Sequence, residues 1–212
     1  MLKGVSFDVG GTLLRRGGPG IAARVASALG IPRGMAESVL QSALHRVPTT
    51  PARAAARLCQ RLGVSGEGRG RVVAALAERS AVQVCEGARE VLAWCRARGL
   101  MIATLSNCAS FDAIDVAALL GPFDAVVDSW RFGVCKPERA AFAVVEGALE
   151  AGPGELVHVG DDPEADVAGA SAAGWRTVLV GPRQARMRAD AAVEDLLQLP
   201  AVLSVLEGRG LA

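Results

Sequence analysis

Short apolar runs rich in β-branched residues recur along the chain. Five of them are short enough for strands and apolar enough to be buried on both faces: residues 2–9, 100–106, 124–129, 155–161 and 176–181. Three stretches between them have helical periodicity: residues 88–99, 137–152 and 165–174. Strands that alternate with helices predict an α/β fold built on a doubly wound parallel sheet.

Local signals place the ends of these helices. The segment 88–99 ends at Gly99, which suits a helix C-cap, and the segment 137–152 begins with Pro137 at the expected first helical position. The segment 165–174 is rich in Ala and Gly, which favours close packing on a sheet. The tail, residues 186–212, predicts a short edge strand followed by a closing helix.

The interval between the first two predicted strands departs from this pattern. Residues 15–84 contain no convincing strand, and the sequence GGPG at 17–20 indicates a flexible link. About four helices follow, separated by Gly and Pro, at 21–30, 34–46, 51–63 and 70–80. A second link at 80–87 returns the chain to the sheet. We therefore predict a core domain of residues 1–17 and 81–212, interrupted by a helical insertion of residues 18–80.

The composition of the chain argues against several classes of function. Of the 212 residues, 51% are hydrophobic, which allows a sizeable core, and the formal net charge of +1 indicates neither nucleic acid nor an anionic membrane as a partner. The N-terminus lacks the features of a signal peptide, and no apolar run reaches the length of a membrane span. Five scattered cysteines without a CxxC pair indicate reduced thiols, and hence a cytoplasmic protein. The oligomeric state is left open.

Polar residues follow four of the predicted strands. Asp8 ends the first strand, Ser106 and Asn107 the second, Lys136 comes after the third, and the acidic sequence GDD at 160–162 ends the fourth. The carboxyl ends of parallel strands line the binding site of such a sheet. A carboxylate nucleophile, a hydroxyl, a lysine and paired carboxylates suit phosphoryl transfer, with Mg²⁺ held by hard oxygens.

Four segments in order carry a family resemblance: FDVGGTLL, MIATLSN, GVCKPERAAF and HVGDDPEADVAGASAAGW. The chain resembles a haloacid dehalogenase superfamily protein with a type C1 helical cap, over nearly its whole length. The resemblance implies that Asp8 is the nucleophile that forms an aspartyl-phosphate. It implies that Ser106 and Asn107 contact the phosphoryl group, and that Lys136 pairs with the nucleophile and the phosphate.

The same resemblance implies a magnesium site and a phosphate-binding loop. Asp161 and Asp166 would hold or support Mg²⁺ beside Asp8, together with the backbone carbonyl of Gly10. Gly11 and Thr12 would complete the loop around the phosphate. The implied substrate is a small phosphorylated metabolite.

One position departs from the family pattern. Phosphatases of this superfamily carry an aspartate two residues after the nucleophile, which protonates the leaving group and then activates water; here that position is Gly10. Losing a general acid and base costs on the order of 10²–10⁴ in rate. His45 in the insertion is a candidate replacement if the cap closes, whereas His158 lies in an apolar strand and is interpreted as a packed or backbone-bonded residue.

Three interpretations follow. The first, which we favour, is a Mg²⁺-dependent phosphohydrolase with weakened activity, or with an acid supplied by the cap or the substrate. The second is a degenerate enzyme that binds a phosphorylated ligand or a protein partner. The third is other chemistry of the superfamily. Dehalogenation is disfavoured by the GDD pattern, and phosphonate cleavage by the absence of a lysine from residues 18–80.

Overall fold

A parallel sheet of six strands forms the centre of the molecule. The computed structural model of the 212-residue chain describes residues 1–181 and 189–208, the side chains of residues 41 and 42 excepted. The sheet order is β5-β4-β1-β6-β7-β8, and every neighbouring pair is parallel. The strands are β1 (Gly4–Phe7), β4 (Met101–Ser106), β5 (Ala125–Asp128), β6 (Leu156–Gly160), β7 (Arg176–Val180) and β8 (Ala191–Val193). The predicted α/β fold is confirmed, and all five predicted strands are present.

Helices cover both faces of this sheet. They are α5 (Ala88–Ala97), α6 (Val116–Leu120), α7 (Ser129–Phe132), α8 (Arg139–Leu149), α9 (Gly169–Ala172) and α10 (Leu199–Gly208). One face packs against α5 and α10 through Leu92 and Leu203, and the other against α8 and α9 through Phe142 and Ala170, all fully buried. None of the described helices has the length and apolarity that crossing a bilayer requires.

The predicted tail is confirmed where it is described. The edge strand is β8 and the closing helix is α10, whereas residues 186–188 and 209–212 of the predicted tail lie outside the described residues.

Two short strands correct the prediction that residues 15–84 contain none. β2 (Leu14–Arg16) and β3 (Val82–Val84) pair in antiparallel fashion, with Leu14 opposite Val84. Each has only three residues, LRR in β2 and VQV in β3, which is too short a run for alternation to identify a strand in the sequence. The two links to the insertion are therefore joined to each other by hydrogen bonds.

Four helices lie between β2 and β3, as predicted. They are α1 (Ile21–Leu29), α2 (Arg33–Leu44), α3 (Pro51–Leu62) and α4 (Glu67–Ala77), and we call them the helical unit. Their facing sides form a separate apolar core, in which Val25, Leu44, Leu58 and Leu76 are fully buried. Buried Arg24 donates hydrogen bonds to the carbonyls of residues 19, 75 and 78, which ties both links to α1.

Two predicted helices have different ends in the structure. α8 begins at Arg139, so Pro137 lies in the preceding loop and not at the first helical position. The helix ends before Glu150, which has a left-handed conformation, and so does not extend to Gly152. Residues 163–168 form a π-helix that leads into α9. Both segments flank the candidate site, and π-helical turns are frequent at functional sites of proteins.

Candidate active site

Three strand ends meet at the centre of the sheet. β1 lies between β4 and β6, with Phe7 opposite Thr104 on one side and Val159 on the other. Asp8 therefore emerges between the ends of the two strands that supply Ser106 and Asp161. This is the edge of a doubly wound sheet at which ligands bind.

Lys136 connects two of the predicted carboxylates. Its side chain is 2% exposed, and its Nζ lies 2.6 Å from an oxygen of Asp8 and 2.6 Å from an oxygen of Asp166. Burial by itself lowers the pKa of Lys136, but Asp166 and Asp8 more than offset this, so its pKa lies above the usual value. Lys136 is therefore a fixed cation beside the predicted nucleophile.

Asn107 holds the backbone of Lys136 in place. Its Nδ2 donates to the Lys136 carbonyl at 2.8 Å, and its Oδ1 accepts from the Lys136 N–H at 2.9 Å. The two bonds join the end of β4 to the loop before α8. They place Asn107 as an orienting residue for the lysine.

A buried histidine forms a hydrogen bond with the Asp166 side chain. His158 Nε2 lies 3.1 Å from Asp166 Oδ1, and its Nδ1 lies 3.2 Å from Ser6 Oγ. Phe142 and Trp175 approach the imidazole edge-on. From the sequence, His158 was predicted to be packed or bonded to the backbone. The hydrogen bond to the Asp166 side chain was not predicted, because only the fold brings the π-helix next to β6.

Three carboxylates gather into one cluster. Oxygens of Asp8, Asp161 and Asp166 lie within 4.8 Å of one another. Burial raises the pKa of Asp8 and of Asp161 from 3.8 to about 6. The pKa of Asp166 is lowered, since Lys136 and His158 outweigh its burial. Hard carboxylate oxygens at this spacing fit a Mg²⁺ ion.

The loop after Asp8 contains two glycines with different constraints. Gly11 has a φ of 105°, and a Cβ there would overlap the Asp161 carboxylate, so this position requires glycine. Gly10 is exposed, has no left-handed φ, and a Cβ there would meet nothing within 4 Å. Thr12 is buried beside them, and its hydroxyl has no hydrogen-bond partner in the described part of the chain.

A cavity of about 510 Å³ lies above this cluster. Gly10, Ser106, Asn107 and Lys136 are among its lining residues, and Lys136 connects it to Asp8 and Asp166. The helical unit supplies Ile21, Ala22, Glu37 and Leu40, and His45, directly after α2, also lines the cavity. Asp162, the last residue of the GDD sequence, lines the cavity and also caps the π-helix, accepting hydrogen bonds from the N–H groups of residues 164 and 165.

Polar contacts join the helical unit to the core around this cavity. Thr49 and Ser110 exchange two hydrogen bonds of 2.8 and 2.9 Å, and Arg46 forms an ion pair with Glu138. Ala109 and Phe111 pack into the apolar core of the helical unit. The cavity therefore lies between the helical unit and the core.

The buried lysine between two aspartates, with a carboxylate cluster at adjacent strand ends, has a counterpart in a known family. The family model of haloacid dehalogenase-like hydrolases matches residues 2–174. The chain belongs to this family.

Individual relatives agree with the assignment. Haloacid dehalogenase-like hydrolase domain-containing protein 3 of Bos taurus is 35% identical over 116 residues, which are 53% of this chain and 45% of that protein. Phosphoserine phosphatase of Thermus thermophilus is 33% identical over 129 residues, 58% of this chain and 52% of that protein. The chain thus matches about half the length of these curated relatives.

A solved structure supports the fold. The crystal structure of beta-phosphoglucomutase from Clostridium difficile has a TM-score of 0.68 with this chain, at 16% identity and with 98% of both chains covered. At this identity the likeness shows the fold alone.

Proposed function

We propose that this haloacid dehalogenase-like hydrolase is a Mg²⁺-dependent phosphohydrolase. It acts on a small phosphorylated metabolite through an aspartyl-phosphate on Asp8. The observation that carries the proposal is the placement of the buried Lys136 Nζ 2.6 Å from oxygens of both Asp8 and Asp166, where Lys136 lines the cavity between the helical unit and the core. A relative that is named a phosphoserine phosphatase supports phosphoryl transfer as the reaction class.

The first half-reaction is a displacement at phosphorus. A carboxylate oxygen of Asp8 forms a bond to phosphorus, the bond from phosphorus to the ester oxygen breaks, and the leaving alcohol takes up a proton. Lys136 balances the charge of the transferred group, and Ser106 and backbone N–H groups of the loop after Asp8 hold its oxygens.

The second half-reaction releases phosphate. Water attacks phosphorus, the bond to the Asp8 oxygen breaks, the water loses a proton, and the carboxylate of Asp8 is restored. Asp8, Asp161 and Asp166 are the residues that would hold Mg²⁺, which when bound would neutralise charge on the phosphoryl oxygens. The helical unit acts as the cap that keeps bulk water away from both steps.

Gly10 determines the turnover rate that we expect for a phosphate ester. The resemblance places a general acid and base at this position, and a glycine can neither donate nor accept the proton that both half-reactions require. The nucleophile and the carboxylate cluster do not depend on it. We therefore propose slow turnover that favours esters whose alcohols leave without a proton.

The same glycine favours a second candidate, a protein that binds a phosphorylated ligand without turning it over. Measuring phosphate release from an activated aryl phosphate, with and without Mg²⁺, separates the two. The phosphatase proposal expects Mg²⁺-dependent release that Asp8→Asn abolishes. Ligand-induced stabilisation without Asp8-dependent release would favour the binding protein.

A further inference from the structure

The fixed positive charges that line the cavity are all paired with acids. Among the described residues, the lining contains the permanently charged groups of Arg16 and Lys136 alone. Arg16 Nη2 lies 2.9 Å from Asp112 Oδ2 and also donates to the Asp112 carbonyl at 2.8 Å. Lys136 forms ion pairs with Asp8 and Asp166. No arginine of the helical unit reaches the described lining.

Most acidic groups of the lining are paired as well. Of the five carboxylates in the described lining, Glu37 pairs with Arg33, Asp128 pairs with Arg131, and Asp112 pairs with Arg79 as well as Arg16. Asp162 caps the π-helix, and Glu164 is exposed. A second anionic group on the substrate would therefore meet these carboxylates without a free counter-ion.

Much of the remaining wall is apolar. The apolar residues of this wall come from β2, from the helical unit and from the segment that leads into α6: Leu14, Ile21, Leu40, Ile114 and Val116. Such a surface stabilises a bound carbon skeleton by removing apolar area from water. It also disfavours a charged group that would lose its hydration there.

His45 is an uncharged polar group in this wall. Within the described residues its imidazole has no hydrogen-bond partner, and its Nδ1 is buried. Its backbone carbonyl accepts from Cys135 Sγ at 3.7 Å, and the next residue, Arg46, pairs with Glu138, so it is held against the loop of Lys136. Burial lowers the pKa of His45 to about 4, so the ring is neutral at neutral pH.

We propose that the substrate is the phosphate monoester of an uncharged alcohol, whose carbon skeleton packs on the apolar wall and whose polar group forms a hydrogen bond with His45. This rests on the proposed phosphohydrolase function and adds the class of leaving group. The charge pattern excludes carboxylate-bearing and bisphosphorylated alcohols, and the apolar wall excludes ammonium-bearing ones. A hydrogen bond to a neutral imidazole selects a hydroxyl without adding charge.

Matched esters test the inference. Pentyl phosphate is compared with its analogues that end in a carboxylate, an ammonium or a hydroxyl group. Because the ester carbon is the same in all four, the chemistry at phosphorus is held constant, and kcat/KM reports the fit of the alcohol. Shorter and longer chains of each series are included, since the depth of the cavity selects a length. Asp8→Asn is the blank throughout.

The proposal expects the uncharged esters to exceed the carboxylate and ammonium esters by about tenfold or more in kcat/KM. His45→Phe should cost the best hydroxyl-terminated ester about tenfold more than it costs the methyl-terminated ester of equal length. His45→Gln, which places a polar group near the ring Nε2 position, should restore part of the loss.

Preference for a charged ester would overturn the proposal. If the carboxylate ester is best and Arg16→Gln removes that preference, the pair of Arg16 with Asp112 opens to bind an anion, and the alcohol is acidic. Equal effects of His45→Phe on both uncharged esters would overturn the role of His45. In either case Asp8-dependent turnover survives, whereas failure of the proposed function itself would appear as no Asp8-dependent release from any ester.

Discussion

Replacing Gly10 by aspartate should restore proton transfer to the site. Two features of the structure allow a side chain at this position: Gly10 has no left-handed φ, and an added Cβ would meet nothing within 4 Å. A general acid and base contributes on the order of 10²–10⁴ in rate, or roughly 3–5 kcal/mol. Ordering the new exposed side chain costs about 1–2 kcal/mol. The net gain is therefore about 1–4 kcal/mol, which corresponds to a rise in kcat on an alkyl phosphate of about fivefold to about a thousandfold.

The assay compares an alkyl phosphate with an activated aryl phosphate. The gain from Gly10→Asp should be largest on the alkyl ester, whose leaving group most needs a proton. Gly10→Asn, with the same shape but no titrating group, should gain nothing. Gly11→Ala is the contrasting variant, and it should lose activity and stability because its Cβ would overlap Asp161. A folded, Mg²⁺-bound Gly10→Asp protein with unchanged turnover on both esters would refute this reasoning.

Three further predictions concern the charged cluster. Lys136→Met leaves Asp8 and Asp166 buried without their cation, so unfolding free energy should fall by about 3–5 kcal/mol in denaturant titrations, and any rise in stability would contradict the pairing. The pKa of Asp8 and Asp161 is raised to about 6. Mg²⁺ stabilisation, measured as a shift in Tm, should therefore be complete at pH 8 and shrink as pH falls below 6, since protons then compete with the metal; a shift independent of pH would argue against this ligand set. His158→Phe should weaken apparent Mg²⁺ affinity about tenfold by calorimetry, and wild-type affinity would show that the bond to Asp166 has no orienting role.

The strands of the sheet were predictable because burial on both faces leaves continuous apolar runs. Sequence signals failed where structure depends on partners distant in the chain. β2 and β3 are three residues each, and they exist because the two links to the helical unit pair with each other. The start of α8 was misplaced because Pro137 belongs to the loop that presents Lys136, not to the first helical turn.

The candidate site likewise contains residues that could be predicted from the sequence and contacts that could not. Asp8, Ser106 and Asp161 stand at strand ends, and parallel topology brings such positions together. By contrast, the bond between His158 and Asp166 depends on a π-helical turn that no periodicity indicates. The pairing of the charges that line the cavity likewise joins residues distant in the chain, such as Arg16 with Asp112, so composition alone could not reveal it.

The central claim is that Asp8 becomes phosphorylated. Acid-quenched mass spectrometry of the wild-type protein mixed with Mg²⁺ and an activated aryl phosphate tests it directly. Since Gly10 provides no base for the second half-reaction, the aspartyl-phosphate should accumulate. The peptide that contains Asp8 should then gain one phosphoryl group, in step with a burst of released phenol, and the adduct should decay faster in Gly10→Asp. Phenol release without an adduct, and at the same rate in Asp8→Asn, would contradict the account.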